Sequence, residues 1–241
     1  TEERYRAVGE MVSRHRVWMI FSAEDVAPRD ELEGDSDYDY FNAAFLLNQE
    51  GRLEGVYRKQ RLVIFGEFVP LVRWLPFLRH FTPIEGGFTR GDGPVDFVVR
   101  EPLLTASVLI CFEDTFPQAG RRHTRGEVEV LVNLTNNGWF GASSAQWQHA
   151  AAAVFRAVEN GVPLVRATNN GLTCWIDSTG RIRQWLGQES GDIYGAGFLT
   201  ASVPLPQEGR LRTFYNRHGD VFGWSCVGVL AAGAVAGRRR R

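Results

Sequence analysis

Short apolar runs alternate along this chain with polar, glycine-bearing connections, and helical periodicity appears in only a few places. Tyr5, Val8, Met11, Val12 and His15 recur at helical spacing, with Glu2 and Glu3 in the first turn, which predicts an amphipathic helix over residues 1–16. Residues 17–21 follow as a short apolar strand. Residues 24–39 are acidic and end in Asp35-Ser-Asp-Tyr-Asp39. The alternation of aspartates there has the spacing of a calcium loop, but Tyr40 stands where such a loop needs Gly and Leu46 where it needs Glu. A solvated loop between strands is expected instead. Residues 40–47 and 53–57 flank Asn48-Gln-Glu-Gly51, a hairpin signature. Residues 62–70 form a turn-bearing segment, and the apolar, aromatic residues 71–78 suit either an apolar substrate or membrane surface, or ordinary packing under a loop.

After the loop glycines between 86 and 94, residues 95–99 predict a strand. The apolar run 108–110 then ends abruptly in Cys111, Phe112, Glu113 and Asp114. A buried strand with a thiol and two carboxylates at its end puts reactive groups where open α/β sheets bind ligands. A packed core thiol is the ordinary alternative, because free cysteine is among the most buried residue types. Pro117 opens a helix that Gly126 should end. Residues 128–134 are another strand, closing on Thr135-Asn-Asn-Gly-Trp-Phe-Gly141, which reads as a pocket wall or a plain turn. Ser143 or Ser144 caps a helix through Asn160 with the stripe Trp147, Ala151, Val154, Phe155 and Val158, stopped by Gly161 and Pro163. His149 on this helix has no partner at i+4 and reads as a packed or surface histidine rather than a metal ligand.

Residues 163–167, 173–176, 181–186 and 197–203 read as four further strands, with Cys174 alternating like a core residue. Helix–strand alternation that gives way to consecutive strands points to a layered α/β sandwich rather than a simple parallel sheet. Residues 221–237 are 17 uncharged residues followed by four arginines. That length is at the short end of the roughly 17–25 needed to span a bilayer. With the arginines on the cytoplasmic side the body lies outside the cytoplasm; a buried or disordered terminal helix is the alternative.

Composition narrows the reading. The 241 residues, 44% hydrophobic and 23% charged, suit one large folded domain or two small ones. The net charge of −1 hides an acidic body: without the last four arginines, 23 basic residues face 28 acidic ones. No basic face is present to compensate phosphates, which argues against a nucleic-acid partner. Cys111, Cys174 and Cys226 lack the C-x-x-C spacing of a zinc site or a disulfide framework. No signal peptide opens the chain, which starts in mid-pattern, so a fragment of a longer protein is expected. Of the 27 basic residues, 26 are Arg and one is Lys59. Either composition alone leaves it so, or position 59 needs a compact amine that the Arg fork cannot replace.

Four blocks in order carry a family resemblance. Tyr57-Arg-Lys59 followed by Leu62-Val-Ile-Phe-Gly-Glu67-Phe-Val-Pro70 resembles the lysine motif of the nitrilase (carbon-nitrogen hydrolase) superfamily, and its second half is similar to the apolipoprotein N-acyltransferase family in particular. Ile110-Cys111-Phe-Glu113 resembles the nucleophile motif. Asn133-Leu-Thr-Asn-Asn-Gly-Trp139-Phe-Gly, then Gln148-His149, then Arg166-Ala-Thr-Asn-Asn-Gly171 resemble the later blocks. The likeness runs through essentially all 241 residues.

The resemblance implies a nitrilase-like αββα sandwich over residues 1–218 and a C-terminal transmembrane helix with a basic tail over 219–241. It implies an enzyme of the bacterial inner membrane with its catalytic domain on the periplasmic side, needing no cofactor or metal. Its activity would be N-acyl transfer from a phospholipid, through a cysteine thioester, to the N-terminal amine of a diacylglyceryl-cysteine apolipoprotein. By the same resemblance Cys111 is the nucleophile, and Lys59 holds the oxyanion and favours the thiolate. Glu67 and Glu113 are the supporting carboxylates, orienting Lys59 or compensating its charge; Trp139 and Phe112 belong to substrate binding. Ile64 and Phe112 depart from the Pro and Tyr common at these positions. The superfamily's general-base glutamate, on an early strand, is matched by no residue of this chain, since Glu2, Glu3 and Glu24 lie in the wrong contexts. Residues 1–241 alone are therefore expected to be inactive. A soluble amidase or nitrilase acting on small amides, and a non-enzymatic binding module that kept only the fold, are the alternatives.

Overall fold

The structure, a computed structural model, describes residues 2–29, 38–71, 74, 75, 77, 87–100, 102–205 and 210–239. Helix α1 (Glu2–His15) ends in Arg14 and His15, cations that suit the negative end of the helix dipole. Its buried Val12 and its Tyr5 face a sheet, where Tyr5 meets Phe21 and Phe45 edge-on at 6.1 and 5.0 Å between ring centroids. That sheet has the antiparallel order β1 (Met19–Pro28), β2 (Tyr38–Leu47), β3 (Leu53–Arg58). The hairpin joining β2 and β3 turns on Asn48, whose side-chain oxygen accepts the Glu50 and Arg52 N–H groups at 3.0 and 2.9 Å.

β1 is longer than the strand expected at 17–21, because the acidic residues after it are strand residues. Glu24 and Asp25 pair across the ladder with Asn42 and Phe41, and Asp25 is held by Arg58 Nε at 2.7 Å. Residues 30–37, including most of the aspartate run, lie outside the described residues. Asp39 itself lies in β2 and pairs with Arg29 at 2.9 Å.

The second sheet runs β4 (Asp96–Arg100), β5 (Leu103–Ile110), β6 (Val130–Thr135), β7 (Leu164–Thr168), β8 (Cys174–Ile176), β9 (Ile182–Trp185) in spatial as in chain order. β5, β6 and β7 are mutually parallel, and the crossovers carry α2 (Pro117–His123) and α3 (Ala145–Asn160). Alternation along β5 sends Ala106, Val108 and Ile110 between the sheets, where Ala44, Leu46 and Tyr57 meet them. Leu109 goes to the other face, into the core that Leu131, Leu164 and Ile176 make with Ala150, Ala153 and Ala157 of α3. The layers are thus α1, three strands, six strands, then α2 and α3: the αββα sandwich expected.

Several boundaries moved for local reasons. α2 stops at His123, before Gly126, because Thr124 turns its hydroxyl back to donate to the Gly120 carbonyl at 2.8 Å. α3 ends as expected at Gly161, whose left-handed φ of 66° lets its N–H reach the Ala157 carbonyl. The strand expected at 197–203 is not formed: β9 closes the sheet, no ladder reaches these residues, and Phe198 is 88% exposed. A short helix missed by the periodicity, α4 (Phe214–His218), starts where the Thr213 hydroxyl accepts the Asn216 N–H at 3.0 Å. α5 (Val221–Arg239) follows; its window 221–238 is long and apolar enough to cross a membrane by length and composition, and none of that window is buried.

One buried group ties stability to pH. His123 Nδ1 lies 2.9 Å from Ser107 Oγ, which donates to the Val95 carbonyl, and its ring meets Tyr57 edge-on at 5.0 Å. Burial, helped by the neighbouring Arg122, pushes its pKa down from 6.5 to about 3. The unfolded chain therefore binds a proton that the folded one refuses between these values. This contribution is full above pH 6.5 and is lost as pH falls toward 3, at a slope approaching about 1.4 kcal/mol per pH unit. Urea unfolding midpoints measured from pH 7.5 to 4 should fall more steeply for the wild type than for His123→Asn; parallel curves would refute the assignment.

Candidate active site

Parallel strands end together. Ile110 is registered with Leu134, and Thr135 with Thr168, so the loops after β5, β6 and β7 open on one edge of the sheet. Such an edge is where open α/β sheets bind ligands. A cavity of about 650 Å³ lies there, walled on the second sheet's side by Cys111, Thr135, Asn136, Trp139, Thr168 and Asn169. Ser22, Glu24 and Asn42 of the first sheet, with Glu67, Gly66 and Phe88, line it from the other side.

Cys111 is the first residue after β5 and starts a 3-10 turn, Cys111–Thr115. Its φ is +52°, a left-handed conformation that costs a non-glycine residue about 1–2 kcal/mol. The strained turn lifts the thiol out of the strand and into the cavity wall, where it is half-buried. Cys174 is a different thiol: fully buried in the outer core, with its pKa pushed up to about 11 by that burial. Cys226 lies exposed on α5. Of the three, Cys111 alone combines access with a cavity.

Two adjacent carboxylates hold the turn from opposite sides. Glu113 is buried beneath the cavity and accepts the Ile110 N–H at 2.8 Å, the Gln60 and Arg61 N–H groups at 2.8 and 2.9 Å, and the Tyr57 hydroxyl at 2.9 Å. Burial pushes its pKa above the usual carboxylate range, against the pull of those donors. Asp114 points the other way, into the α3 layer. Its oxygens meet Arg166 Nη1 at 2.6 Å and His149 Nε2 at 2.9 Å, and its carbonyl accepts from Arg156. Arg166 Nη1 also donates to Asn133 Oδ1 at 2.7 Å, and Asn133 Nδ2 donates to the Cys111 carbonyl at 3.0 Å. The backbone on both sides of the thiol is therefore hydrogen-bonded into buried networks.

Lys59 follows β3 and is 1% exposed. Its ammonium donates to both oxygens of Glu67 at 2.8 Å, and Glu67 also accepts from Asn42 Nδ2 and the Val63 N–H, each at 2.9 Å. Gly91 packs against this loop so closely that a Cβ would lie 2.1 Å from the Arg58 carbonyl oxygen, and its N–H donates to the Lys59 carbonyl. A buried ammonium held by a partly exposed carboxylate is a stable charge source for a developing oxyanion.

Of the residues expected from the motifs, Cys111, Glu67 and Trp139 share the cavity, with the Trp139 indole 79% exposed at its edge. Lys59 sits behind Glu67, and Glu113 lies under the floor. Phe112 turns away from the cavity and packs edge-on against Phe116 at 4.9 Å. His149 is packed, as expected, though within a polar network. Asn42, Asn133, Asp114, Arg166 and Glu24 went unassigned. A charged residue inside the apolar run 163–167 is a legible sign of a buried ion pair, Asp114 stood at the end of the run 108–110 and Asn133 opened a motif block; nothing in the pattern marked Asn42 or the place of Glu24.

The sequence profile described as carbon-nitrogen hydrolase matches residues 2–212, and the chain belongs to that family. It is 42% identical over 202 residues to an apolipoprotein N-acyltransferase of Geobacter metallireducens, covering 83% of this chain and 37% of that protein. It is 35% identical over 217 residues to the apolipoprotein N-acyltransferase of Chlorobaculum tepidum, covering 86% of this chain and 38% of that protein. The chain thus spans under two fifths of the length of these curated relatives. Among solved structures, a carbon-nitrogen hydrolase from Helicobacter pylori G27 superposes with a TM-score of 0.58 at 18% identity, covering 77% of this chain and 63% of the other, and shares the fold.

Breaking a buried ion pair strands the remaining charge, whereas replacing both partners with apolar groups does not. Glu67→Gln should therefore destabilise the protein by about 3 kcal/mol in chemical unfolding, the low end expected because Glu67 is partly exposed. The double change Lys59→Met with Glu67→Leu should recover most of that loss. A Glu67→Gln protein as stable as the wild type would contradict the pairing.

Proposed function

We propose that this member of the carbon-nitrogen hydrolase family is the catalytic part of an apolipoprotein N-acyltransferase that works by a ping-pong reaction at Cys111. The observation that carries the reading is the Cys111 thiol, presented by a strained turn on the wall of a cavity it shares with a lysine-bound glutamate. The similarity to named N-acyltransferases favours acyl transfer over hydrolysis of small amides. The unburied apolar helix α5 supports a place at the membrane. In this reading it anchors the chain in the inner membrane with the sandwich on the periplasmic side.

In the first half-reaction the Cys111 sulfur attacks the ester carbonyl of a phospholipid. A carbon–sulfur bond forms, the tetrahedral oxyanion is stabilised by the Lys59 ammonium, and the lysophospholipid alkoxide departs with a proton. In the second, the N-terminal amine of a diacylglyceryl-cysteine apolipoprotein attacks the thioester. The amide bond forms as the carbon–sulfur bond breaks, and the thiol is restored. Glu67 keeps the ammonium in place and Glu113 fixes the two loops relative to each other. Both carboxylates have their oxygens engaged by donors, which leaves proton transfer to the family's general-base glutamate. That residue is not among the matched motifs. Trp139 lines the acyl or acceptor path.

The full-length protein incubated with phospholipid in the absence of acceptor should gain one fatty-acyl mass on the peptide containing Cys111, released by hydroxylamine. Cys111→Ser should remove the adduct and lower turnover by at least about a thousandfold. An active wild type without adduct, or an active Cys111→Ser protein, would overturn the mechanism. Hydrolysis of short amides with no response to phospholipid would favour an amidase.

A further inference from the structure

The cavity's charges do not balance. Two of its lining residues are charged, Glu24 and Glu67, and both are acidic. Glu67 is neutralised by Lys59 behind it. Glu24 is not: none of the described ion pairs engages it, and its side chain is exposed on the cavity wall. Its neighbour makes the contrast sharper. Asp25, pointing to the opposite face of β1, is held by Arg58 at 2.7 Å, so the strand compensates one carboxylate and leaves the cavity-facing one free.

Position adds to charge. Glu24 is the ladder partner of Asn42, so the two side chains stand on the same face about 5 Å apart at Cβ. Asn42 donates to Glu67. The free carboxylate thus borders the Lys59–Glu67 pair on the first-sheet wall, while Cys111 opens from the second-sheet wall of the same space. A cavity with one uncompensated negative charge favours a cationic ligand and disfavours an anionic one.

We propose that Glu24 forms the subsite for the ammonium of the acyl acceptor, an inference that rests on the acyl-transfer reading of the site. An N-terminal α-amine, with a pKa of about 7.7–8.0, is mostly an ammonium at neutral pH. Glu24 holds that ammonium beside the thioester. One proton leaves to the general base, the nitrogen attacks the thioester carbon, and the second proton passes to the departing Cys111 sulfur. A donor whose headgroup carries no cation, such as phosphatidylglycerol, gains nothing from Glu24. The residue therefore acts on the second half-reaction and raises the preference for a cationic amine over neutral nucleophiles. It is a binding residue for the acceptor and takes no part in forming the thioester.

The test uses full-length Glu24→Gln and Glu24→Asp proteins and separates the half-reactions. Adduct formation at Cys111 from phosphatidylglycerol alone should be no slower than in the wild type. With a diacylglyceryl-cysteine peptide as acceptor, KM should rise roughly fivefold in Glu24→Gln and less in Glu24→Asp, with kcat changing little. Release of the acyl group by hydroxylamine, neutral at pH 7.5, should be unaffected. The wild-type KM for the peptide should also rise with salt, and that of Glu24→Gln should not. An unchanged peptide KM in Glu24→Gln overturns the subsite. Loss of adduct formation in that variant overturns it as well, by placing Glu24 in the first half-reaction. A wild type that forms no adduct overturns instead the acyl-transfer reading on which the subsite depends.

Discussion

One buried carboxylate sets the relation between the two sheets at the reactive edge. Glu113 gathers the N–H groups of Gln60 and Arg61, immediately after Lys59, and that of Ile110, immediately before Cys111. The Tyr57 hydroxyl, from β3, completes the set. Lys59 belongs to the three-stranded sheet and Cys111 to the six-stranded one, and apolar packing between sheets is non-directional. Hydrogen bonds from one carboxylate to both loops supply the direction that packing lacks. A carboxylate is the group for this task, since its two oxygens offer about four acceptor sites and match the four donors that converge on it. Charged acceptors also make the stronger bonds.

The next residue completes the joint. Asp114 reaches into the outer layer, where Arg166 from β7 and His149 from α3 meet it. Adjacent side chains on a tight turn diverge, so a Glu–Asp pair there engages both neighbouring layers at once. Arg166 then passes the constraint to Asn133 and through it to the Cys111 carbonyl. The left-handed backbone at Cys111 persists because the surroundings over-determine it. The strain is small beside the hydrogen bonds that surround it, each worth about 1 kcal/mol net and more when charged.

Much of this was legible in the sequence. The apolar alternation of β2, β3 and β4–β8 and the periodicity of α1 and α3 mark buried faces, and burial is what periodicity encodes. Cys111, Lys59, Glu67 and Glu113 were legible through motifs: Cys111 and Lys59 each follow a strand's end, and the two glutamates lie in the turns just beyond. The acidic half of β1 was not. Glu24 and Asp25 look like loop residues until Arg58 and the cavity are known, because their partners lie across the sheet. Residues 197–203 failed in the opposite sense: their apolar pattern suits a strand, but a strand also needs an edge to pair with. Phe112 shows the limit of a motif, which fixes a residue's position in the turn but leaves the side chain to its local packing, here against Phe116.

The proposed reaction also gives a chain so rich in arginine a reason to keep one lysine at this place. Three arginines serve as frame: Arg58 Nε holds Asp25, Arg156 bridges Glu159 and the Asp114 carbonyl, and Arg166 Nη1 holds Asp114 and Asn133. In each the guanidinium is committed to a carboxylate. Lys59 carries a compact charge on a flexible stem, and two of its three donors are committed to Glu67. In the proposed reaction the third goes to the oxyanion, without breaking the pair that holds the ammonium in place. A guanidinium there would be bulkier and would spread its charge over three nitrogens. The proposed reaction thus asks for a small charge with one donor in reserve, which a lysine supplies and an arginine does not.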